Sequence, residues 1–244
     1  MTRILAVLLA IGATLSAAEL KVLTIGAINP GFRTIADQYG RETGNTVTMQ
    51  ADTAPGLSRR IAAGEAADLL IAPGNVIDEA AKQGKAIAST KTAVARVGIG
   101  VEVRAGASVP NVASVDALRE ALLNADFIIY NQGSSGLYME KLFEQMGIAA
   151  RIQAKTVRFA NAAQVADRVM ADTGNEIGFG PLPEILSSDP KRLHLAGPLP
   201  SGIQHYTDYD GAVMSSGHSD LAQRFLRYLT SPAARQMFAA AGVD

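Results

Sequence analysis

From Phe127 to Gly147 the chain reads as a strand, a loop of small residues and a helix in direct succession. Phe127-Ile128-Ile129-Tyr130 is an apolar run of strand length and predicts a buried strand. Gly133-Ser134-Ser135-Gly136 is a loop without bulk. Leu137, Met139, Leu142, Phe143 and Met146 then supply the apolar face of a helix, and Gly147 stands where a helix-ending glycine belongs. Such a unit constrains a fold strongly, because a parallel neighbour for the strand is reached only through a crossover, which the helix supplies. The junction also has a chemistry of its own. The first-turn amides of a helix lack backbone partners and the helix dipole is positive there, so the loop suits an anion. Taken alone, the same residues are more simply described as an ordinary serine cap.

Similar units recur along the chain. Leu20–Ile25, Val47–Met49, Asp68–Ala72, Thr156–Phe159 and Glu176–Gly180 read as short strands, with a further strand near Tyr209–Met214. Helix-period segments follow most of them. Phe32, Ile35, Ala36 and Tyr39 mark one ending near Gly44, and others start near Leu57, Asn75 and Asn161. Ser114 and Ser231 read as N-caps, the latter followed by Pro232. Val94–Val103 is extended and apolar, broken by Gly98 and Gly100, and reads as a crossing strand. Residues 187–204 read as loop. The alternation predicts an α/β fold with a mainly parallel sheet flanked by helices. Four loops leave a strand and enter a helix through small residues: Gly26–Asn29, Thr53–Gly56, Gly133–Gly136 and Phe159–Asn161. In open α/β sheets ligands gather at such strand ends. The candidate binding residues are therefore Ala27 and Ile28, Thr53 and Ala54, Ser134 and Ser135, and Ala160 and Asn161. Arg158 is added as a guanidinium fork beside the last loop, in preference to Arg59 or Arg60. Tyr138 is expected to pack in the core.

Composition narrows the chemistry. A net charge of −1 over 244 residues gives no basic field for nucleic acid. With no cysteine, thiol nucleophiles and cysteine-based zinc sites are excluded, and the three histidines are not at metal-ligand spacing. No metal or cofactor is expected. At the N-terminus Arg3 precedes an apolar block from Ile4 to Ile11, and Ser16-Ala17-Ala18 offers small residues for cleavage. Residues 1–18 thus read as a secretory signal peptide, too short to span a bilayer, and the mature chain is expected to be soluble in the periplasm.

Larger pieces of the chain resemble a known family. Ile35-Ala36-Asp37-Gln38-Tyr39 with Glu42-Thr43-Gly44, the run from Leu57 to Ala72, Gly136-Leu137-Tyr138 with Met146-Gly147-Ile148, and the run from Phe225 to Ala234 are similar to the periplasmic molybdate-binding proteins. These are solute receptors of ABC importers with a type II periplasmic-binding fold. The resemblance implies two α/β lobes, residues 19–98 with 205–244 and residues 99–204, joined by two hinge crossovers with the ligand between them. It implies a small anionic ligand, an ABC permease in the inner membrane as partner, and a monomer. The sequence departs from the family at three donor positions. Ala27 and Ala54 stand where serines bind the oxyanion, and Pro181 falls where a tyrosine closes over molybdate. A hydrogen bond to a charged group contributes ~1.5–3 kcal/mol, so these losses favour a ligand other than molybdate, such as a small organic carboxylate. Some proteins similar to these receptors isomerise aconitate, which gives the alternative reading of a periplasmic isomerase of an unsaturated tricarboxylate. Asp52 is the only acid that the four loops offer for proton transfer, and no catalytic residue is assigned.

Overall fold

The computed structural model describes residues 17–171 and 173–244; nearly all of the expected signal peptide lies outside them. In chain order the elements begin β1 (Glu19–Ile25), α1 (Asn29–Thr43), β2 (Thr46–Asp52), α2 (Ala54–Ala62), β3 (Leu69–Pro73), α3 (Gly74–Lys82) and the 13-residue β4 (Thr92–Arg104). They continue with α4 (Val115–Asn124), β5 (Phe127–Asn131), α5 (Ser134–Gln145), α6 (Ala149–Ile152), β6 (Thr156–Phe159), α7 (Ala162–Ala171), β7 (Glu176–Pro181) and α8 (Leu182–Leu186). The chain closes with β8 (Leu193–Pro198), β9 (Tyr206–Val213), α9 (Ser219–Leu229) and α10 (Pro232–Ala240).

Among the described residues the strands lie in the order β2-β1-β3-β9-β4-β7-β5-β6, with β8 pairing β4 off that path. β1 is parallel to β2 and β3, and β5 is parallel to β6 and β7, each link passing through a helix as a parallel pair requires. The β3 run Leu69–Pro73 is buried throughout, as expected of a strand covered on both faces. β4 changes partner along its length. Thr92–Gly98 pairs with β9, whereas Ile99–Arg104 pairs with β7 and β8.

The apolar interior divides at the same point. One cluster draws on residues between 20 and 97 and between 209 and 243, with Phe225 packed edge-on against Phe32 and Tyr39 at 5.8 and 4.9 Å. The other clusters draw on residues between 99 and 199. Aromatic pairs in this geometry add about 0.5–1.5 kcal/mol beyond the area they bury.

Several local expectations are corrected. Asn29, read as the last residue of the first loop, opens α1, with Pro30 in the first turn where its missing N–H costs nothing. A side chain at Gly31 would meet the Phe238 ring at 2.7 Å, so the glycine serves packing rather than chain reversal. α2 starts at Ala54, three residues before its apolar face begins. Residues 187–204 contain β8. After the strand read at Glu176–Gly180, Leu182-Pro183 opens a short helix, α8, absent from the sequence-based expectations. Phe127 is 39% exposed, with the Arg168 guanidinium 5.5 Å from its ring centre, so only the rest of that strand is buried.

Candidate functional site

A cavity of about 400 Å³ opens where β1, β2, β5, β6 and β7 end, with Val97, Gly98 and Ile99 of the crossing strand at its base. Ala27, Ala54, Ser134 and Ala160, one from each of the four loops, all line it, together with Thr53, Ser135 and Asn161. Pro181 lines it as well.

The helix ends around the cavity are not alike. At α5 the N-cap is Gly133, and no side chain caps the helix. The Asn131 side chain instead organises this loop: its Oδ1 accepts from Gly133 N at 2.7 Å, and its Nδ2 donates to Ser135 Oγ at 2.9 Å. Ser134, read as a possible cap, makes no such bond. At α1 the N-cap Ile28 also provides no side-chain acceptor, although Asn29 N already donates to Gly26 O and Pro30 has no N–H, so this end offers its dipole more than open amides. Two uncapped helix N-termini, one from each cluster of the core, therefore meet at the cavity with their dipoles positive inward.

The other two ends are already occupied. Thr53 Oγ1 accepts from Gly56 N, and the Asp52 carboxylate accepts from Thr53 N at 2.7 Å, which places a negative group over the first turn of α2. Asn161 Oδ1 caps α7 through Gln164 N at 3.0 Å, and Gln164 Oε1 in turn accepts from Ala160 N. The reciprocal pair has the logic of a capping box.

Arginine placement reverses the expected order. Arg158 projects from the exposed face of β6 and pairs with Glu140 at 2.5 Å, away from the cavity wall. Arg60 binds Glu65, whose carboxyl it holds down to about 2 with help from Lys21. Arg59, one position earlier and so about 100° round the helix, lines the cavity and is exposed, with no ion pair among the described residues. Ile28 is likewise misplaced by the sequence reading: it is fully buried in the core beside β1 and is absent from the cavity wall. Tyr138 packs as expected, donating its hydroxyl to Ile203 O at 2.8 Å and stacking on His205 at 4.4 Å between ring centres.

Sequence reasoning missed two acids. Glu184 on α8 lines the cavity, and burial pushes its carboxyl up to about 7. Glu102 on β4 is 1% exposed, has a side-chain oxygen without a hydrogen-bond partner, and is pushed up to about 8, by burial first and then by the charge of Glu184. The signal for Glu102 was present: it is the one acid within the otherwise apolar run from Val97 to Val103. Glu184 had no comparable mark.

Comparison with known proteins agrees with this architecture. The chain is 29% identical over 219 residues to a curated aconitate isomerase from a Pseudomonas species, which spans 87% of this chain and 82% of that protein. Among solved structures, the Azotobacter vinelandii periplasmic molybdate-binding protein superposes with a TM-score of 0.75 at 16% identity, covering 92% of this chain and 98% of its own. PEB3 of Campylobacter jejuni, solved with L-phospholactate bound, gives a TM-score of 0.70 at 15% identity, with 92% and 98% covered. The sequence signature of one family extends over residues 20–244, and the chain belongs to it: the bacterial extracellular solute-binding proteins.

Proposed function

We propose that this protein is a periplasmic receptor for a small organic anion bearing carboxylates, held in the cavity between two lobes and delivered to an ABC permease. The lobes are residues 19–98 with 205–244 and residues 99–204. The observation that carries this reading is the convergence on one cavity of the uncapped α1 and α5 ends and of Arg59, which has no ion pair among the described residues. A cavity of about 400 Å³ leaves room well beyond a tetrahedral oxyanion and falls in the range of small-molecule sites. The residues at 27, 54 and 181 offer no side-chain donor for such an ion. A carboxylate-rich ligand instead matches a guanidinium fork and two helix ends whose dipoles are positive toward the cavity. PEB3 with L-phospholactate is an organic anion on this fold, which supports the same choice. No helix among the described residues is long and apolar enough to cross a membrane, in keeping with a receptor that works beside its permease.

A thermal-shift panel of molybdate, sulfate, phosphate, succinate and tricarballylate tests the reading. The expected result is stabilisation by the carboxylates, about 2.7 kcal/mol at 100 times the dissociation constant. Silence across the carboxylates with a response to molybdate would refute the ligand class. Arg59→Ala is expected to weaken binding of the responding carboxylate by about 10- to 100-fold, the loss of one charge-assisted contact of ~1.5–3 kcal/mol, as read by calorimetric titration. The same loss on Arg158→Ala instead would reverse the assignment.

A second reading, an isomerase of an unsaturated tricarboxylate, is favoured by Glu184. Moving a double bond needs a group that removes a proton at one carbon and returns one at another. A carboxyl that titrates near neutrality can do both. Incubating the protein with trans-aconitate and following the cis isomer separates the two readings. Turnover abolished in Glu184→Gln would replace the receptor with the enzyme.

A further inference from the structure

Glu184 occupies a partition. Its carboxyl lines the main cavity and also a side chamber of about 40 Å³, whose other acidic wall is Glu102. A space of that size holds about one water. On its cavity side Glu184 presses against the 26–29 turn, so that a β-carbon placed on Gly26 would lie 3.3 Å from its Oε1. Glu184 thus stands where the uncapped end of α1 opens into the cavity. Close by, Asn29 lines the same cavity and its buried Oδ1 has no hydrogen-bond partner.

We propose that Glu184, in its neutral form, recognises the ligand, so that each ligand molecule entering the cavity is accompanied by one proton. The inference rests on the organic-anion reading and adds a coupled ion to it. An ionised carboxyl on this wall would repel the anion that the helix ends attract. A protonated one donates a short O–H···O⁻ bond, among the stronger hydrogen bonds available.

The surroundings favour the neutral form. Burial alone raises the Glu184 carboxyl to about 7. Of the elements packed against α8, the 26–28 turn carries no ionisable group, and the charged side chains of α1 are exposed. β4 presents Glu102 across the chamber, while its Arg96 is exposed and its Arg104 bonds to Ala105 O. Glu176 of β7 pairs with Arg168 of α7; Asp167 of α7 and His194 of β8 are exposed. From β9, Tyr209 lines the cavity, and burial first and then the charge of Glu184 raise its phenol. No cation is among the causes that set Glu184 or Glu102. Glu102 supplies a second carboxyl behind the first, and the charge of an ionised Glu184 is one of the causes that hold Glu102 neutral.

The test is calorimetric titration with tricarballylate, a saturated tricarboxylate that offers no double bond to isomerise. At pH 7.5, titrations in two buffers of different ionisation enthalpy are expected to report net proton uptake by the wild type and none by Glu184→Gln. Between pH 6.5 and 8.5 wild-type affinity is expected to fall roughly 10- to 30-fold, as linkage to one proton requires. The Glu184→Gln variant keeps a hydrogen-bond donor and is expected to lose most of that slope, so that it binds more tightly than wild type at pH 8.5. Tricarballylate binding without proton uptake overturns this inference and leaves the anion reading standing. Failure of tricarballylate to bind wild type at pH 6.5 overturns both.

Discussion

Glu102→Gln will be more stable than the wild type at pH 8 and no more stable at pH 5. The Glu102 carboxyl is fully enclosed, its burial raises it from an ordinary 4.5 to about 8, and no cation offsets the cost of its charge. The sign follows from proton binding. Below pH ~4.5 the group is neutral in folded and unfolded chains and costs nothing. Between ~4.5 and ~8 the unfolded chain has released the proton and the folded one has not, so wild-type stability falls as pH rises, and above ~8 the loss is complete. Each pH unit across that window corresponds to about 1.4 kcal/mol, which sets an upper bound near 5 kcal/mol; relaxation around the charge brings the expectation to about 2–4 kcal/mol. Glutamine has nearly the same shape and never ionises, so it removes this dependence. It leaves a buried amide incompletely bonded, which is why no gain is expected at pH 5. Urea midpoints of both proteins from pH 5 to 8.5 supply the measurement. Parallel profiles would mean that Glu102 ionises freely in the folded protein.

Why such a group stays in the fold is a question about β4. This strand is shared by both halves of the sheet and changes partner between Gly98 and Ile99. Val101, Glu102 and Val103 are all essentially buried, because β7 and β8 flank the strand and α7 and α8 cover it. Across it Gly178 has no side chain; a β-carbon there would come within 2.7 Å of Glu102 Cγ. The glycine makes the space that the acid fills. A site carved for a buried carboxyl, opening on a chamber shared with a cavity-lining carboxyl, is what a proton-linked ligand site requires.

The strand–loop–helix units were legible because each of their signals is local. Apolar runs, helical spacing and glycine stops all lie within about twenty residues of one another, and the loops they bound converge because parallel strands present their carboxyl ends on one side. What escaped was set by tertiary placement. Arg158 looked better placed than Arg59 because it adjoins a loop in sequence, yet alternation along β6 turns it outward to Glu140. Ile28 adjoins Ala27, but the 3-10 turn at Gly26–Ile28 directs it into the core. Asp52 was counted as the acid available to the cavity, and it does line the cavity while accepting from the N–H of Thr53, the N-cap of α2. Glu184 lies in a pentapeptide that contains Pro183 and follows Pro181, whose helical form depends on packing against β4 and the 26–28 turn, contacts no sequence period announces.

Gly136→Ala is expected to cost about 3 kcal/mol or more and to abolish ligand binding. A β-carbon at Gly136 would sit 1.6 Å from the carbonyl oxygen of Asn131 and 2.6 Å from its carbonyl carbon. Those atoms belong to backbone at the end of β5, so no rotamer change relieves the clash. Either α5 must withdraw from the strand or the Asn131 peptide must move. Moving Asn131 breaks the paired bonds from its side chain to Gly133 and Ser135 that shape the uncapped helix end. Overpacking of a tight site ordinarily costs about 1–3 kcal/mol, and a contact this short with rigid backbone belongs at or above the top of that range. The gain in helix propensity from glycine to alanine, at most ~1 kcal/mol, does not offset it. Leu137→Ala is the control: its side chain is 46% exposed one position further on, and the change is expected to stay within about 0.5 kcal/mol. Urea denaturation of the two variants measures the difference. A Gly136→Ala protein as stable as wild type, with tricarballylate still bound, would show that the approach of α5 to β5 is looser than this geometry and that the helix end does not shape the cavity.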